Sequence, residues 1–331
     1  MRIGLIGVGR IGAFHAGTLR GLPAVDSLVV ADADRDRAED VASRLGTQTA
    51  ATLDDLLTAG IDALVIATAT ATHPELIRRG VAAGLPVFCE KPVAPDVDGT
   101  LDVIEGTSGA RVQIGFQRRF DAGFQAARAA ARDGALGWVH TIRSTTLDAT
   151  PPPAGYIRGS GGIFRDCAVH DFDAIRWVSG REVTQAYAVG ANRGEDFFRT
   201  AGDVDTASAV LTLDDGTIAV VSCTRYNAAG YDVRLELLGS AGSVCAGLDD
   251  RMPLKSAEPG TAFPPGPPHQ RFMDRFRDAY AAELTAFTEV AAGHAASPCT
   301  PQDALEAFYV AEACELSRQR DEPVRICEVR R

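Results

Sequence analysis

The chain has 331 residues, 46% of them hydrophobic and 23% charged, with a formal net charge of -11. That length suits two domains with substantial cores, and the acidic balance argues against nucleic acid as a partner. Its seven cysteines are scattered, with no C-x-x-C pair and no His/Cys cluster, which points to reduced thiols in the cytoplasm and to neither a disulfide frame nor a zinc site. No apolar run approaches the ~20 residues of a membrane span. The first residues enter a strand directly, so no signal peptide is expected.

Residues 3–8 form a short apolar run, as a buried parallel strand does. Gly7-Val8-Gly9-Arg10-Ile11-Gly12 follows as G-x-G-x-x-G and opens a helical stretch over 11–19. Gly7 would allow the tight turn, Gly9 a close approach of backbone to a pyrophosphate, and Gly12 the packing of helix on sheet. The free N–H groups at the helix start would hold the anion, with Arg10 and Ile11 contributing backbone there. A second strand over 27–31 ends at Asp32, 20 residues after Gly12, where an acid accepts from an adenosine ribose. The alternative is a glycine-rich turn that binds nothing.

Strand and helix signals then alternate to about residue 120, as in a parallel sheet with crossover helices. Helices are predicted over 34–45, 54–58, 73–83 and 96–106, and strands over 63–67, 86–89 and 112–115. Pro74 sits where a first helical turn tolerates proline, and Gly84 reads as the helix-ending glycine. After Phe116 the texture changes. An Ala/Arg-rich helix over 121–133 precedes longer alternating strands over 138–147, 183–189, 206–213, 217–223, 232–238 and 243–246. Asp215-Gly216 joins two of them as a hairpin. This pattern predicts a mostly antiparallel sheet with one face free to meet another subunit. A proline-rich loop over 251–269 and helices over 272–292 and 301–318 complete the chain. The expected architecture is α/β: a Rossmann dinucleotide-binding domain over 1–118, then an α+β substrate-binding and oligomerisation domain with a mostly antiparallel sheet over 119–331.

Two further stretches have residue types that could carry chemistry. Glu90-Lys91-Pro92 ends a parallel strand, where ligands of open α/β sheets bind. Lys91 is either a donor to a substrate hydroxyl or a solvated surface lysine. Asp166 and His170 are four residues apart and share a helical face. A carboxylate beside an imidazole raises its proton affinity and orients it, as a general base requires. The alternative is a capping acid with a packed histidine. His15 and His73 are assigned no catalysis: His15 lies near the cofactor end of its helix, and His73 caps its helix or sits by the nicotinamide ribose.

Across nearly its whole length the chain resembles the glucose–fructose oxidoreductase/inositol dehydrogenase/rhizopine-catabolism (Gfo/Idh/MocA) family, most of all bacterial inositol 2-dehydrogenases. The resemblance rests on GLIGVGRIGAFHAGTL, THPELI, CEKPVA, IGFQRRFD, SGGIFRDCAVHDFDAIRW, GYDVRLELLGSAGSV and RFRDAYAAELTAF. It implies a catalytic trio of Lys91, Asp166 and His170. It implies a cofactor site of Gly7, Gly9, Arg10, Ile11, Gly12, Asp32, Thr68, Thr70, His73, Glu90 and Lys91. Near substrate it implies Lys91, Arg118 or Arg119, Asp148, Asp166, His170, and Tyr231 or Tyr280. The chain departs from the family at Ala69, where a proline is common, at Cys167, where methionine is frequent, and in Pro151, Pro152, Pro153 and the 251–269 loop.

The function expected is NAD-dependent oxidation of a secondary hydroxyl of a cyclic polyol, myo-inositol or a related inositol, to the ketone, with NADP the alternative cofactor. The active site is expected in the cleft between the domains and without metal. His170 would take the hydroxyl proton, Asp166 would orient and charge-balance it, and Lys91 would stabilise the alkoxide-like oxygen. The alternatives are a family enzyme for another sugar, amino sugar or nucleotide-linked keto-sugar, and a nucleotide-binding regulator without turnover. The resemblance also implies a cytoplasmic homotetramer packed through the second sheet.

Overall fold

The computed structural model describes residues Met1–Arg331. Six strands near the N-terminus form one parallel sheet: β1 (Arg2–Ile6), β2 (Ser27–Ala31), β3 (Gln48–Thr49), β4 (Ala63–Ile66), β5 (Val87–Glu90) and β6 (Val112–Gly115). Their order is β3-β2-β1-β4-β5-β6. The apolar runs that predicted β1, β4 and β5 are buried nearly throughout, as strands covered by helices on both faces must be. The order reverses between β1 and β4, and the carboxyl ends of strands beside such a switch point form a binding crevice. Gly7 follows β1, Thr68 follows β4 and Lys91 follows β5. Asp34, Asp96 and Asp121, expected as first helical residues, instead cap the helices Arg35–Leu45, Val97–Gly106 and Ala122–Arg132 with their side chains.

The expected single domain boundary at 118/119 is corrected. One compact unit is Met1–Gln117 with Asp278–Leu305, and the other is Arg118–Arg277 with Glu306–Arg331. The chain crosses at 117/118, near the expected place, and then returns. Leu284, Phe287, Val290 and Ala291 join the core built by β1, β2, β4 and β5. Phe287 packs 5.7 Å from Phe88, and Gln113 Nε2 donates to Glu283 O at 3.1 Å. Chain order placed this late helix in the second domain, because an amphipathic pattern does not say which core it covers. The helix expected over 272–292 is also broken, into Phe272–Arg275 and Arg277–Ala292, at the fully buried Phe276.

The second unit holds β7 (Val139–Leu147), β8 (Val183–Ala191), β9 (Thr206–Leu213), β10 (Ile218–Thr224), β11 (Asp232–Gly239), β12 (Ser243–Ala246) and β13 (Val324–Arg325). They lie in the order β12-β11-β7-β10-β9-β8-β13. All neighbours run antiparallel except β7 and β10, which are parallel and paired from Thr141↔Ile218 to Leu147↔Thr224. The helix Val169–Ser179 packs against β7. On β8, β9 and β10 the buried residues alternate with exposed ones, and Tyr187, Val189, Val210, Ile218 and Val220 are among the exposed. No helix is long and apolar enough to cross a membrane.

The placement of residues 278–305 is testable. Phe287→Ala should lower stability by about 3–5 kcal/mol, as expected for a buried phenylalanine, and should speed hydrogen exchange at the Phe88 and Cys89 amides of β5. Unchanged β5 exchange in this variant would contradict the packing.

Candidate active site

In the first unit each glycine of the loop has a separate physical reason. Gly7 turns the chain with φ +89, and its N–H donates to Ala31 O at 2.8 Å. A Cβ on Gly12 would lie 1.8 Å from Gly7 O, so only glycine lets the helix Arg10–Gly21 start this close to the strand. A Cβ on Gly9 would meet no atom within 4 Å. Gly9 also caps that helix without a side-chain hydrogen bond, which leaves its N-terminus open to an anion. Open space at Gly9 over an uncapped helix start fits a dinucleotide pyrophosphate, with Arg10 and Ile11 forming the first turn.

Asp32 does more than the sequence reading gave it. Its Oδ2 accepts from Val8 N at 2.7 Å and its Oδ1 from Asp34 N at 2.9 Å. The carboxylate therefore holds the glycine loop in place at the end of β2. Arg37 lies 3.3 Å from Asp32 and 3.0 Å from Asp34, so its charge is already met by two acids.

Thr68 and Thr72 share a hydroxyl hydrogen bond of 2.7 Å across the turn after β4, and Thr70 lies within that turn. His73 is corrected. It neither caps its helix nor stands open to a nucleotide. It is 1% exposed, with Nδ1 2.7 Å from Pro92 O and Nε2 3.1 Å from Thr68 O. Burial holds its pKa below the usual histidine value. It ties the Thr68 turn to the Glu90-Lys91-Pro92 segment. Glu90 is tied as well, its Oε1 2.6 Å from Nε2 of the fully buried His15. The sequence reading gave His15 no partner, since nothing in a helical position 75 residues away marks it. Lys91 follows Glu90, partly exposed, with a cis bond to Pro92.

In the second unit the parallel pairing sets the geometry. β7 and β10 end together, and Asp148 N donates to Thr224 O at 2.9 Å. Asp148 and Arg225 are therefore neighbours, and Arg225 Nη1 donates to Asp148 Oδ2 at 3.0 Å. Its Nη2 donates to Asp166 Oδ2 at 2.7 Å, and the Tyr156 hydroxyl donates to Asp166 Oδ1 at 2.8 Å. Burial opposes the charge on Arg225, but Asp166, Cys167 and Asp148 outweigh it and push its pKa up. Sequence reasoning missed Arg225, because its partners lie 77 and 59 residues away.

Asp166 stands on a π-helical turn, Phe164–Ala168, that runs into the helix Val169–Ser179. The sequence reading expected a plain helical face. π turns widen a helix locally and recur at functional sites. Along 167–176 every residue is buried except His170, which like Asp166 is partly exposed. Arg118 and Arg119 are corrected as substrate contacts. Arg118 Nη1 donates to Asp171 Oδ1 at 2.8 Å, and Arg119 Nε donates to Asp173 Oδ2 at 2.9 Å. Both are buried, at 1% and 5% exposure, so they neutralise buried acids of this helix. Tyr231 packs edge-on to Phe276, and burial pushes its hydroxyl pKa up, which keeps it protonated.

Residues 1–116 match the family model described as an oxidoreductase family with an NAD-binding Rossmann fold, and residues 124–245 match the GFO/IDH/MocA C-terminal domain. A myo-inositol dehydrogenase from Streptomyces leeuwenhoekii is 39% identical over 96% of this chain and 97% of its own length. The crystal structure of a myo-inositol dehydrogenase from Corynebacterium glutamicum has a TM-score of 0.89, with 32% identity over 98% of both chains. That of a scyllo-inositol dehydrogenase from Lactobacillus casei, with bound NAD(H) and scyllo-inositol, has a TM-score of 0.88, with 27% identity over 99% of both chains. Matched in both domains and along nearly its full length, the chain belongs to the GFO/IDH/MocA family of NAD-dependent oxidoreductases.

Proposed function

We propose that the protein oxidises a secondary hydroxyl of a cyclic polyol, myo-inositol or a related inositol, to the ketone. The observation that carries this reading is the carboxylate pair Asp148 and Asp166, fixed by Arg225 at the turn that leads to His170. Carboxylates accept hydrogen bonds and donate none, so a pair of them suits a ligand rich in hydroxyl donors and free of negative charge. The relatives named above act on inositols, which supports the same substrate class.

When bound, NAD accepts the hydride. Losing a hydride from an alcohol also requires losing the hydroxyl proton. His170 takes that proton, and Asp166 balances the charge that His170 gains. Lys91 donates to the hydroxyl oxygen and stabilises the negative charge growing there. The backbone after Gly9 holds the pyrophosphate. Asp32 accepts from the ribose and repels a 2′-phosphate, while Arg37, paired with Asp32 and Asp34, is poorly placed to attract one.

The proposal includes a homo-oligomer, a tetramer on the family pattern, and a cytoplasmic setting, which the scattered cysteines favour. For assembly the support is the outer face of β8, β9 and β10. Tyr187, Val210 and Val220 are 37%, 45% and 37% exposed there, in register across the three neighbouring strands. Such a face favours self-association. Light scattering at micromolar concentration should give a mass above the monomer, and Val210→Lys should reduce it. A monomeric wild type would end this part of the proposal.

NADH formation with myo-inositol, scyllo-inositol, D-glucose and an amino sugar tests the activity, and an inositol should give the highest kcat/KM. Lys91→Ala should lower kcat by roughly 10²–10³ and His170→Ala by roughly 10²–10⁴. Both variants should still bind NADH in a fluorescence titration. Near-normal turnover in either variant would remove that residue from the mechanism.

For the cofactor, kcat/KM should be higher with NAD than with NADP, and Asp32→Ala should narrow the difference. Gly9→Ala should fold normally, since its Cβ meets nothing in the protein, yet weaken NADH binding by about tenfold or more by blocking the pyrophosphate. Unchanged NADH affinity in Gly9→Ala would place the nucleotide elsewhere.

A further inference from the structure

Arg225 lies at a structural coincidence. Parallel β7 and β10 end at the same level, so the residues just after them, Asp148 and Arg225, stand side by side. The π turn brings Asp166 to the other nitrogen of the same guanidinium. Two carboxylates held this close would disfavour each other's ionisation without a cation between them. A guanidinium is a rigid planar fork, so bonds from Nη1 and Nη2 fix both the spacing and the orientation of the two acids. Its side chain is 5% exposed, while Asp148 and Asp166 are 23% and 10% exposed, so the acids lie on the open side of the arginine. Asp166 Oδ1 accepts from the hydroxyl of Tyr156, an exposed residue. A substrate hydroxyl is a donor of the same kind.

We propose that Arg225 is a positioning residue of the substrate site, holding Asp148 and Asp166 as a rigid pair of acceptors that selects polyols by the spacing of two of their hydroxyls. Arg225 touches neither substrate nor cofactor in this role. The inference rests on the polyol reading above and assigns its selectivity to a residue behind the carboxylates. Other ionisable groups facing Arg225 and its partners are Cys167 on the π turn, Tyr156, Tyr231 and Asp203, with His170 next along the helix.

The test uses the full-length protein with Arg225→Lys and Arg225→Met, and reads kcat and KM for the preferred polyol across pH, NADH affinity and melting temperature. Lysine keeps the charge but offers a single point where arginine offers a fork. Arg225→Lys should raise KM for the polyol about tenfold or more, the usual loss for a charged hydrogen bond, with a smaller change in kcat. It should also narrow the preference among inositol isomers and leave NADH affinity unchanged. Arg225→Met should in addition move the acid limb of kcat/KM to higher pH, because carboxylates without their cation hold protons more tightly. If Arg225→Met leaves the two acids unpaired and fails to fold, Arg225→Lys decides alone. Unaltered KM and isomer preference in Arg225→Lys would overturn the inference, as would a loss shared equally by NADH affinity. A wild type that turns over no polyol would overturn the polyol reading and this inference with it. An active wild type with unmoved variants would overturn the inference alone.

Discussion

A helix that carries acids onto the face of a sheet must neutralise them before it can bury them. The stretch from Phe164 to Ser179 carries Asp166, Asp171 and Asp173, and the last two are fully buried. An unpaired buried charge costs several kcal/mol, so each acid needs its own cation in good geometry. Arg118 meets Asp171, Arg119 meets Asp173, and Arg225 meets Asp166. Thr146 and Ser144 add hydroxyl donors to Asp171 at 2.9 and 2.6 Å. With the acids tied to the sheet and to the segment before it, the helix has little freedom to turn about its axis. Restricted rotation fixes where His170 points, and His170 is the residue of 167–176 left partly exposed.

The first unit solves a different problem with the same means. Its proposed site residues sit on loops at strand ends, where backbone is least constrained. Each loop is tied by a buried side chain: Asp32 holds the glycine turn, His73 joins the Thr68 turn to Pro92, and His15 holds Glu90 next to Lys91. None of these bonds reaches a ligand, yet together they set the backbone that would. A reactive group placed by rigid neighbours loses less entropy when it is used, which is why such supports accompany catalytic loops.

What the sequence made legible follows from how far apart in the chain each interaction is. Strands and helices of the parallel sheet came through because their apolar runs are local, and the three glycines because turn, approach and packing all fall within six residues. The acids that cap helices were readable as helix starts for the same reason. The arginines misled: Arg118 and Arg119 stand beside the expected site in sequence, but their partners are Asp171 and Asp173, 53 and 54 residues away. His73 misled because a histidine by a cofactor loop and a histidine buried under it look alike in one dimension. The return of residues 278–305 to the first core was invisible for a similar reason, since an amphipathic helix announces a buried face and not its destination.

Exposure separates two kinds of paired acid in the second unit. Asp171 and Asp173 are buried and each is met by an arginine with no opening to solvent, so their pairing serves the fold alone. Asp148 and Asp166 share one guanidinium, and their side chains keep some exposure. An acid that needed only stability would be better covered. An acid that needed only to react would not require a buried arginine behind it. Shared charge with partial exposure is the compromise expected where a carboxylate must stay ionised, stay still and still accept a hydrogen bond from outside.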